Sequence, residues 1–428
     1  MIPVNEPLLA KNTLRYVTEC VETGWISSAG RFIRKFELDY AAYLGVKHAV
    51  TTTSGTTALH LAMASLGLGP GDAVIIPDLT MIAVPYAVLY TGARPVLVDV
   101  DRETYNIDPA GIKQYITGSC VYHPADKRLV DKMTGLTVRA IVPVHLYGHP
   151  CAMDEILELA RLYSLTVVED AAEAHGALFY PAGKRDRPIP AGAIGDAGCF
   201  SFYGNKIITT GEGGMLVTNS DRLAERARVL KDLAHAPGRR FLHTDLGFNY
   251  RMTNLQAAVG LAQLEEIDRF IGIKQKMAKT YEELLAGIKG LTLPQQKPWA
   301  RSVYWMYAIL VEKEFGLSRD GLMEQLKERE VDTRTFFIPV HRQPLFLDQG
   351  QYRGRTFPAS EELSVKGLYL PSGLALTLEQ IETVCAEIKK SPGPPTNRGW
   401  KNRNISNTID SSRTIGGSRA GARSFSAC

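Results

Sequence analysis

Three stretches of this chain carry residue types that could do chemistry together. The first is Phe200-Ser201-Phe202-Tyr203-Gly204-Asn205-Lys206, closed by Gly211-Glu212-Gly213-Gly214. Lysines are normally solvated. One that follows a short apolar run and precedes a glycine-rich turn can serve as a nucleophilic amine, the requirement for a Schiff base with a carbonyl cofactor. The other reading of Lys206 is a lysine snorkelling from a strand end, and the segment by itself leaves the two even. The second stretch is Val167-Val168-Glu169-Asp170-Ala171-Ala172-Glu173-Ala174-His175-Gly176. Its apolar start delivers Asp170 to the end of a strand, where doubly wound sheets bind ligands. A carboxylate there can pair with a protonated pyridine nitrogen, worth about 4 kcal/mol at contact for an effective dielectric near 20. That pairing would keep the ring an electron sink. An Asp in this place is equally suited to cap a helix. The third stretch is Thr53-Ser54-Gly55-Thr56-Thr57-Ala58-Leu59. A helix opening on Ser54, Gly55 and Thr56 presents free backbone N–H groups to a phosphate, or is simply capped. No G-x-G-x-x-G fingerprint and no Gly-Lys-Ser/Thr loop is present. A phosphate cup, a carboxylate at a strand end and a lysine after a later strand make up the parts of a pyridoxal-phosphate site.

The elements that must position these residues alternate. Ala73–Pro77, Arg94–Asp99, Ala140–Val144 and Leu165–Val168 are short and rich in β-branched residues, as strands covered on both faces are. Between them lie helical patterns. One starts after Ser54, carries Leu59, Ala62, Met63 and Leu66 on one stripe, and stops at Gly67; another runs from Asp154 to Tyr163. The rhythm predicts an α/β fold with a doubly wound, mostly parallel sheet. A long helix is expected from about Asn254 to Phe270, leading into a smaller C-terminal α+β domain. We therefore divide the chain into a large domain at 1–265, a small one at 266–390, and a disordered basic tail at 391–428.

The 428 residues are 45% hydrophobic and 22% charged, which excludes a disordered or fibrous chain. Net charge is +4, but Arg398, Lys401, Arg403, Arg413, Arg419 and Arg423 against Asp410 put +5 in the tail and leave −1 for the rest. A near-neutral body argues against a nucleic-acid partner. Cys20, Cys120, Cys151, Cys199, Cys385 and Cys428 are scattered without a C-x-x-C pair, as in reduced cytosolic proteins, and no metal site is expected. The first residues do not read as a signal segment, and no apolar run reaches the ~18 residues that span a membrane. A cytoplasmic location is the expectation.

The ordered set Gly24-Trp25-Ile26-Ser27-Ser28, Ser54-Gly55-Thr56, Val144-His145-Leu146-Tyr147-Gly148, Glu169–Ala174, Phe200-Ser201-Phe202, Lys206, Gly211–Gly214 and Asn249-Tyr250-Arg251-Met252-Thr253-Asn254 resembles the DegT/DnrJ/EryC1/StrS family of nucleotide-sugar aminotransferases. The resemblance covers residues 1 to about 390. It implies the PLP-dependent fold type I and pyridoxal 5′-phosphate as cofactor, with pyridoxamine phosphate as its intermediate form. By resemblance Lys206 forms the Schiff base, Asp170 pairs with the pyridine nitrogen and Glu173 lies near the ring. Ser54, the Gly55 and Thr56 amides and the Ser201 hydroxyl would hold the phosphate. Asn249 would reach the phosphate of a neighbouring subunit, making the active unit a homodimer. Arg251 and His341 would touch the sugar nucleotide or the amino donor, although His341 alone reads as readily as a packed loop histidine. Met81 stands where many relatives carry an aromatic, and 117–138 and 180–191 are longer than usual. The implied reaction moves an amino group from glutamate to C4 of a nucleotide-linked 4-keto-6-deoxy sugar. GDP-4-keto-6-deoxymannose leads, with UDP- and dTDP-linked sugars open. A dehydratase on the same fold is disfavoured by Lys206, and a non-catalytic sensor by the complete lysine–aspartate–phosphate set.

Overall fold

Alternation decides the central sheet. In β2 (Asp72–Pro77), Ala73 and Ile75 enter one apolar cluster while Val74 and Ile76 enter another, so the strand is covered on both faces. The computed structural model describes residues 1–236, 238–348 and 352–391. But for Ser391, the basic tail expected at 391–428 lies outside the described residues. Across the sheet the order is β1 (His48–Thr52), β11 (Gly214–Thr218), β10 (Ala197–Ser201), β7 (Thr166–Asp170), β6 (Thr137–Ile141), β2 and β3 (Arg94–Val98). The pairs β10–β7, β7–β6, β6–β2 and β2–β3 are parallel, and β11 alone in this row runs against its neighbours. The mostly parallel α/β sheet that the alternating pattern predicts is the observed one. Its strands β1, β2, β7 and β10 therefore end on one edge, and ligand chemistry belongs there.

Details differ from the sequence expectation, each for a physical reason. The strand expected at Ala140–Val144 lies three residues earlier, at Thr137–Ile141. Pro143 has no N–H to give a ladder, while Thr137 and Val138 pair on both sides, with β2 and with β5 (Arg128–Asp131). The long stretch 117–138 is thus not a plain loop. It folds into a hairpin of β4 (Cys120–His123) and β5 that widens the sheet. The stretch 180–191 joins β8 (Leu178–Phe179) to β9 (Ile189–Pro190), with β15 (Ala300–Arg301) alongside β8. A further hairpin pairs β12 (His235–Ala236) with β13 (Arg239–His243). The single helix expected over Asn254–Phe270 is two, Asn254–Leu264 and Ile267–Leu285. Glu265 and Glu266 break it, and the N-terminal segment claims their carboxylates. Asn12 and the Tyr16 hydroxyl donate to Glu265 at 2.6 and 2.7 Å, and the Lys11 N–H to Glu266 at 2.8 Å.

The C-terminal part carries an antiparallel sheet, β14 (Leu291–Thr292), β16 (Tyr307–Val311), β18 (Gly367–Leu370) and β17 (Arg334–Thr335). Tyr281, Leu322, Leu326, Val384 and Ile388 from three helices pack on it in a core of their own. Other residues of this part, including Val303, Trp305, Phe336 and Val340, join the core of the main sheet instead. The chain's beginning ties the two parts. Ile2 bridges to Val331, its carbonyl accepts the Asp332 N–H at 2.9 Å, and the Val4 carbonyl accepts the Ser372 N–H at 2.8 Å. Asn5 then donates its side-chain amide to the Asn205 carbonyl at 3.0 Å.

Between these layers Lys274 is fully buried, with no carboxylate partner among the described residues. Its Nζ donates to the Trp305 carbonyl at 2.7 Å and to the Ser372 carbonyl. Burial pulls its pKa from 10.5 down to about 7. Below about pH 7 both folded and unfolded chains hold the proton, and the folded one bears the cost of the buried charge. Above it the folded chain sheds the proton first, so this cost is relieved as pH rises from about 7 towards 10.5. Lys274→Met should therefore gain least over the parent at high pH. Thermal unfolding at pH 6.5 and 9.5 should show the parent recovering melting temperature relative to Lys274→Met; parallel curves would contradict this.

Candidate active site

A cavity of about 320 Å³ opens at the C-terminal edge of the sheet. Ser54, Gly55, Thr56, Asp170, Glu173, Ser201 and Lys206 all line it. Three stretches that are separate in the sequence thus meet in one space.

The phosphate cup comes from the turn after β1. Ser54 caps the helix Gly55–Ser65: its Oγ accepts the Thr57 N–H at 3.2 Å while Thr57 Oγ1 accepts the Ser54 N–H at 2.9 Å. The Gly55 and Thr56 N–H groups have no intrahelical acceptor and stay free for an anion. Gly55 is required by closeness. A Cβ there would stand 2.7 Å from Ser201 Cβ. Ser201 is set from below by His175, whose Nε2 meets the Ser201 carbonyl at 2.8 Å. Burial pushes His175 down to about 3, so the ring is neutral. With Nε2–H given to a carbonyl, Nδ1 accepts from the Tyr40 hydroxyl at 2.8 Å.

Two adjacent carboxylates at the end of β7 are used in opposite ways. Glu169 is saturated: it accepts the N–H groups of Gly192, Ile194 and Gly195 and meets His145 Nε2 at 2.8 Å. The Cys151 N–H donates to His145 Nδ1 at 3.0 Å, so this imidazole bears its proton on Nε2, facing Glu169. Asp170 faces the cavity with one oxygen spent, on the Ala172 N–H at 3.0 Å, and none on Oδ2 among the described residues. Burial raises its pKa, against the pull of Lys206. An unspent oxygen on a buried carboxylate asks for a cationic or N–H partner. The cradle that a Cβ would fill, the free N–H pair and this oxygen together fit pyridoxal phosphate.

Lys206 follows β10 and its Nζ lies 3.5 Å from Glu173 Oε1. The second Glu173 oxygen accepts the Tyr147 N–H at 2.8 Å. Burial raises the Glu173 carboxyl, and Lys206 draws it back. The Trp305 ring centroid is 3.9 Å from Lys206 Nζ. Trp305, Phe337 and Tyr369 come from the C-terminal part and line the cavity. Nothing local marked them in the sequence, because they are aromatic residues in strands and loops a hundred or more positions away. Thr80 was missed as well: its buried Oγ1 has no partner among the described residues, and the side chain borders the cavity beside the half-exposed Met81.

The remaining candidates lie elsewhere. Asn249 is exposed, outside its own chain's cavity, and accepts from Arg251 Nε at 3.1 Å. Arg251 also pairs with Asp232 at 2.9 Å. His341 is not at the cavity. It is 2% exposed, clamped by Asp78 through Nδ1 at 2.7 Å and by Glu361 through Nε2 at 3.1 Å. Asp78 begins the turn that carries Thr80 and Met81, so His341 pins that wall from behind. It is the packed histidine of the two sequence readings. No residue of 117–138 or 180–191 lines the cavity.

The description "DegT/DnrJ/EryC1/StrS aminotransferase family" matches residues 7–389. A GDP-perosamine synthase of Caulobacter vibrioides is 44% identical over 388 residues, 90% of this chain and 97% of that one. One of Escherichia coli O157:H7 is 40% identical over 389 residues, 91% and 98% of the two chains. Among solved structures, S. venezuelae DesV in complex with a ketimine intermediate superposes with a TM-score of 0.78 at 34% identity, covering 90% of this chain and 95% of that one.

Two substitutions test this geometry. Gly55→Ala should weaken pyridoxal-phosphate binding at least about tenfold in an absorbance titration, by closing the cradle onto Ser201; unchanged affinity would refute the cup. His341→Ala should cost about 3 kcal/mol in denaturant unfolding, since it strands the buried Asp78. A loss confined to sugar KM, with stability intact, would return His341 to the substrate.

Proposed function

This chain belongs to the DegT/DnrJ/EryC1/StrS aminotransferase family, and on that premise we propose that it moves an amino group from glutamate to C4 of GDP-4-keto-6-deoxymannose, giving GDP-perosamine. The observation that carries the reading is the single cavity uniting Lys206, Asp170 and the Ser54–Thr56 cup. The GDP-linked substrate is supported by relatives at 37–44% identity that bear the name GDP-perosamine synthase.

Pyridoxal phosphate, when bound, supplies the electron sink and carries the amino group between donor and acceptor. The chain's residues hold it and move protons. The Gly55 and Thr56 amides and the Ser54 and Ser201 hydroxyls bind the phosphate. The free oxygen of Asp170 holds the ring nitrogen in its charged form, which also answers the cost of its own burial. Lys206 Nζ is the covalent anchor. Once displaced by the donor amine, it is general base and acid: it takes the α-proton of glutamate, and in the second half reaction it delivers a proton to the sugar carbon that becomes C4–NH2. Glu173 Oε1 steadies the charged form of Nζ between these transfers.

A homodimer with shared sites is supported by Asn249, exposed and not among the residues lining its own chain's cavity, and by the exposed apolar side chains of Phe241 and Leu246 nearby in the chain. A cytoplasmic setting is supported by the cysteines, of which Cys20, Cys120, Cys151, Cys199 and Cys385 are free and buried. No helix among the described residues is long and apolar enough to cross a membrane.

The test is product mass. Protein, pyridoxal phosphate and glutamate are incubated with GDP-4-keto-6-deoxymannose, and with UDP- and dTDP-4-keto-6-deoxyglucose in parallel. A new amine from the GDP sugar is the expected result. An amine only from a UDP or dTDP sugar overturns the substrate, and none from any overturns the reaction. Lys206→Arg should lower turnover at least about a thousandfold while keeping the positive charge.

A further inference from the structure

Lys206 is not simply a lysine in a cleft. Its Nζ has two close neighbours, Glu173 Oε1 at 3.5 Å and the face of Trp305, whose ring centroid is 3.9 Å away. Trp305 is 3% exposed, and its polar groups are tied down by different parts of the chain. Its indole Nε1 donates to the Asn205 carbonyl at 2.7 Å, its backbone N–H to the Tyr147 carbonyl at 2.9 Å, and its carbonyl accepts from Lys274 Nζ at 2.7 Å. The Tyr147 ring is stacked with it, 6.3 Å between centroids at 19°. The Asn205 carbonyl is also held by Asn5, so the residue before the lysine and the ring beside it form one rigid unit. Three hydrogen bonds and a stacked ring go far beyond what an apolar wall needs.

Resting on the aminotransferase reading, we propose that Trp305 is a catalytic residue, whose indole face receives the Lys206 ammonium each time the amine has taken a proton from substrate carbon. A π face attracts a cation without accepting its proton. A carboxylate on both sides would grip the ammonium too tightly for it to give the proton back, and an aliphatic wall would not hold it. Glu173 and Trp305 divide the task. The carboxylate supplies charge, and the ring fixes the position from which Nζ returns its proton. The balance is plain: one C–H breaks as N–H forms on Nζ, then that N–H breaks as C–H forms on the accepting carbon.

The experiment uses the apoenzyme, so that it stands apart from turnover. Trace acetic anhydride labels Lys206 across pH 6 to 11 in the parent, Trp305→Phe and Trp305→Leu, with the peptide quantified by mass spectrometry and the exposed Lys279 as internal reference. Removing the ring should move the pH midpoint for Lys206 downwards by about one unit in Trp305→Leu and by a smaller step in Trp305→Phe, with Lys279 unmoved. If Trp305→Leu does not fold, the Phe variant carries the test and must shift in the same direction. An unmoved Lys206 midpoint overturns the proposal, even if the parent makes amino sugar. A shift in a parent that aminates no keto sugar upholds the ring's hold on Nζ and overturns the reaction instead. In active enzyme, Trp305→Leu should lower kcat about tenfold with KM for the sugar unchanged; a change confined to KM makes Trp305 a substrate wall and overturns its catalytic assignment.

Discussion

On the proposed reading one primary amine has to be kept out of bulk water and yet remain free to exchange protons, and the architecture suits that demand. Lys206 can be neither at the surface, where water would compete, nor locked in an ion pair, where it would be inert. The sheet answers the first condition by placing the lysine beyond the end of β10, on the edge where β1, β2 and β7 also finish. The C-terminal part answers the second by sending Trp305 across to share the amine with Glu173. Neither part holds the amine by itself, which is why Trp305, Phe336 and Val340 belong to the core of the main sheet and not to that of their own.

Glu169 and Asp170 show how burial is turned to two ends by neighbouring residues of one strand. Glu169 has its negative charge met by three backbone N–H groups and an imidazole, and so fixes the turn at Gly192–Gly195. Asp170 keeps one oxygen without a partner among the described residues, as a carboxylate that is to receive a cofactor nitrogen must. The fold tolerates the second because the first, next to it, is complete.

What could be read from the sequence was what is local. Ser54–Thr56 announces itself as a helix start, Asp170 as the end of an apolar strand, and Lys206 as a charge between an apolar run and glycines. Each signal spans a few residues, so each survived into the structure at its own place. Trp305 and Thr80 matter only through neighbours distant in sequence, and no short window contains that information. His341 went the other way: the family resemblance implies a ligand contact, yet two carboxylates from different elements hold both of its nitrogens. The helix break at Glu265-Glu266 was hidden for the same reason. Periodicity ran on, and only the docking of Lys11, Asn12 and Tyr16 gives the interruption its purpose.

The strap formed by Ile2–Asn5 carries a consequence for how the molecule is made. These residues are made well before their partners Val331, Asp332 and Ser372. The main sheet needs only the strands up to Thr218 and can close while synthesis continues. Asn5 meets the Asn205 carbonyl in its final setting only when the strap has been captured by the C-terminal sheet. Closing this long loop is therefore also the step that finishes the surroundings of the lysine. The surroundings of Lys206 are thus complete only once the C-terminal sheet has formed.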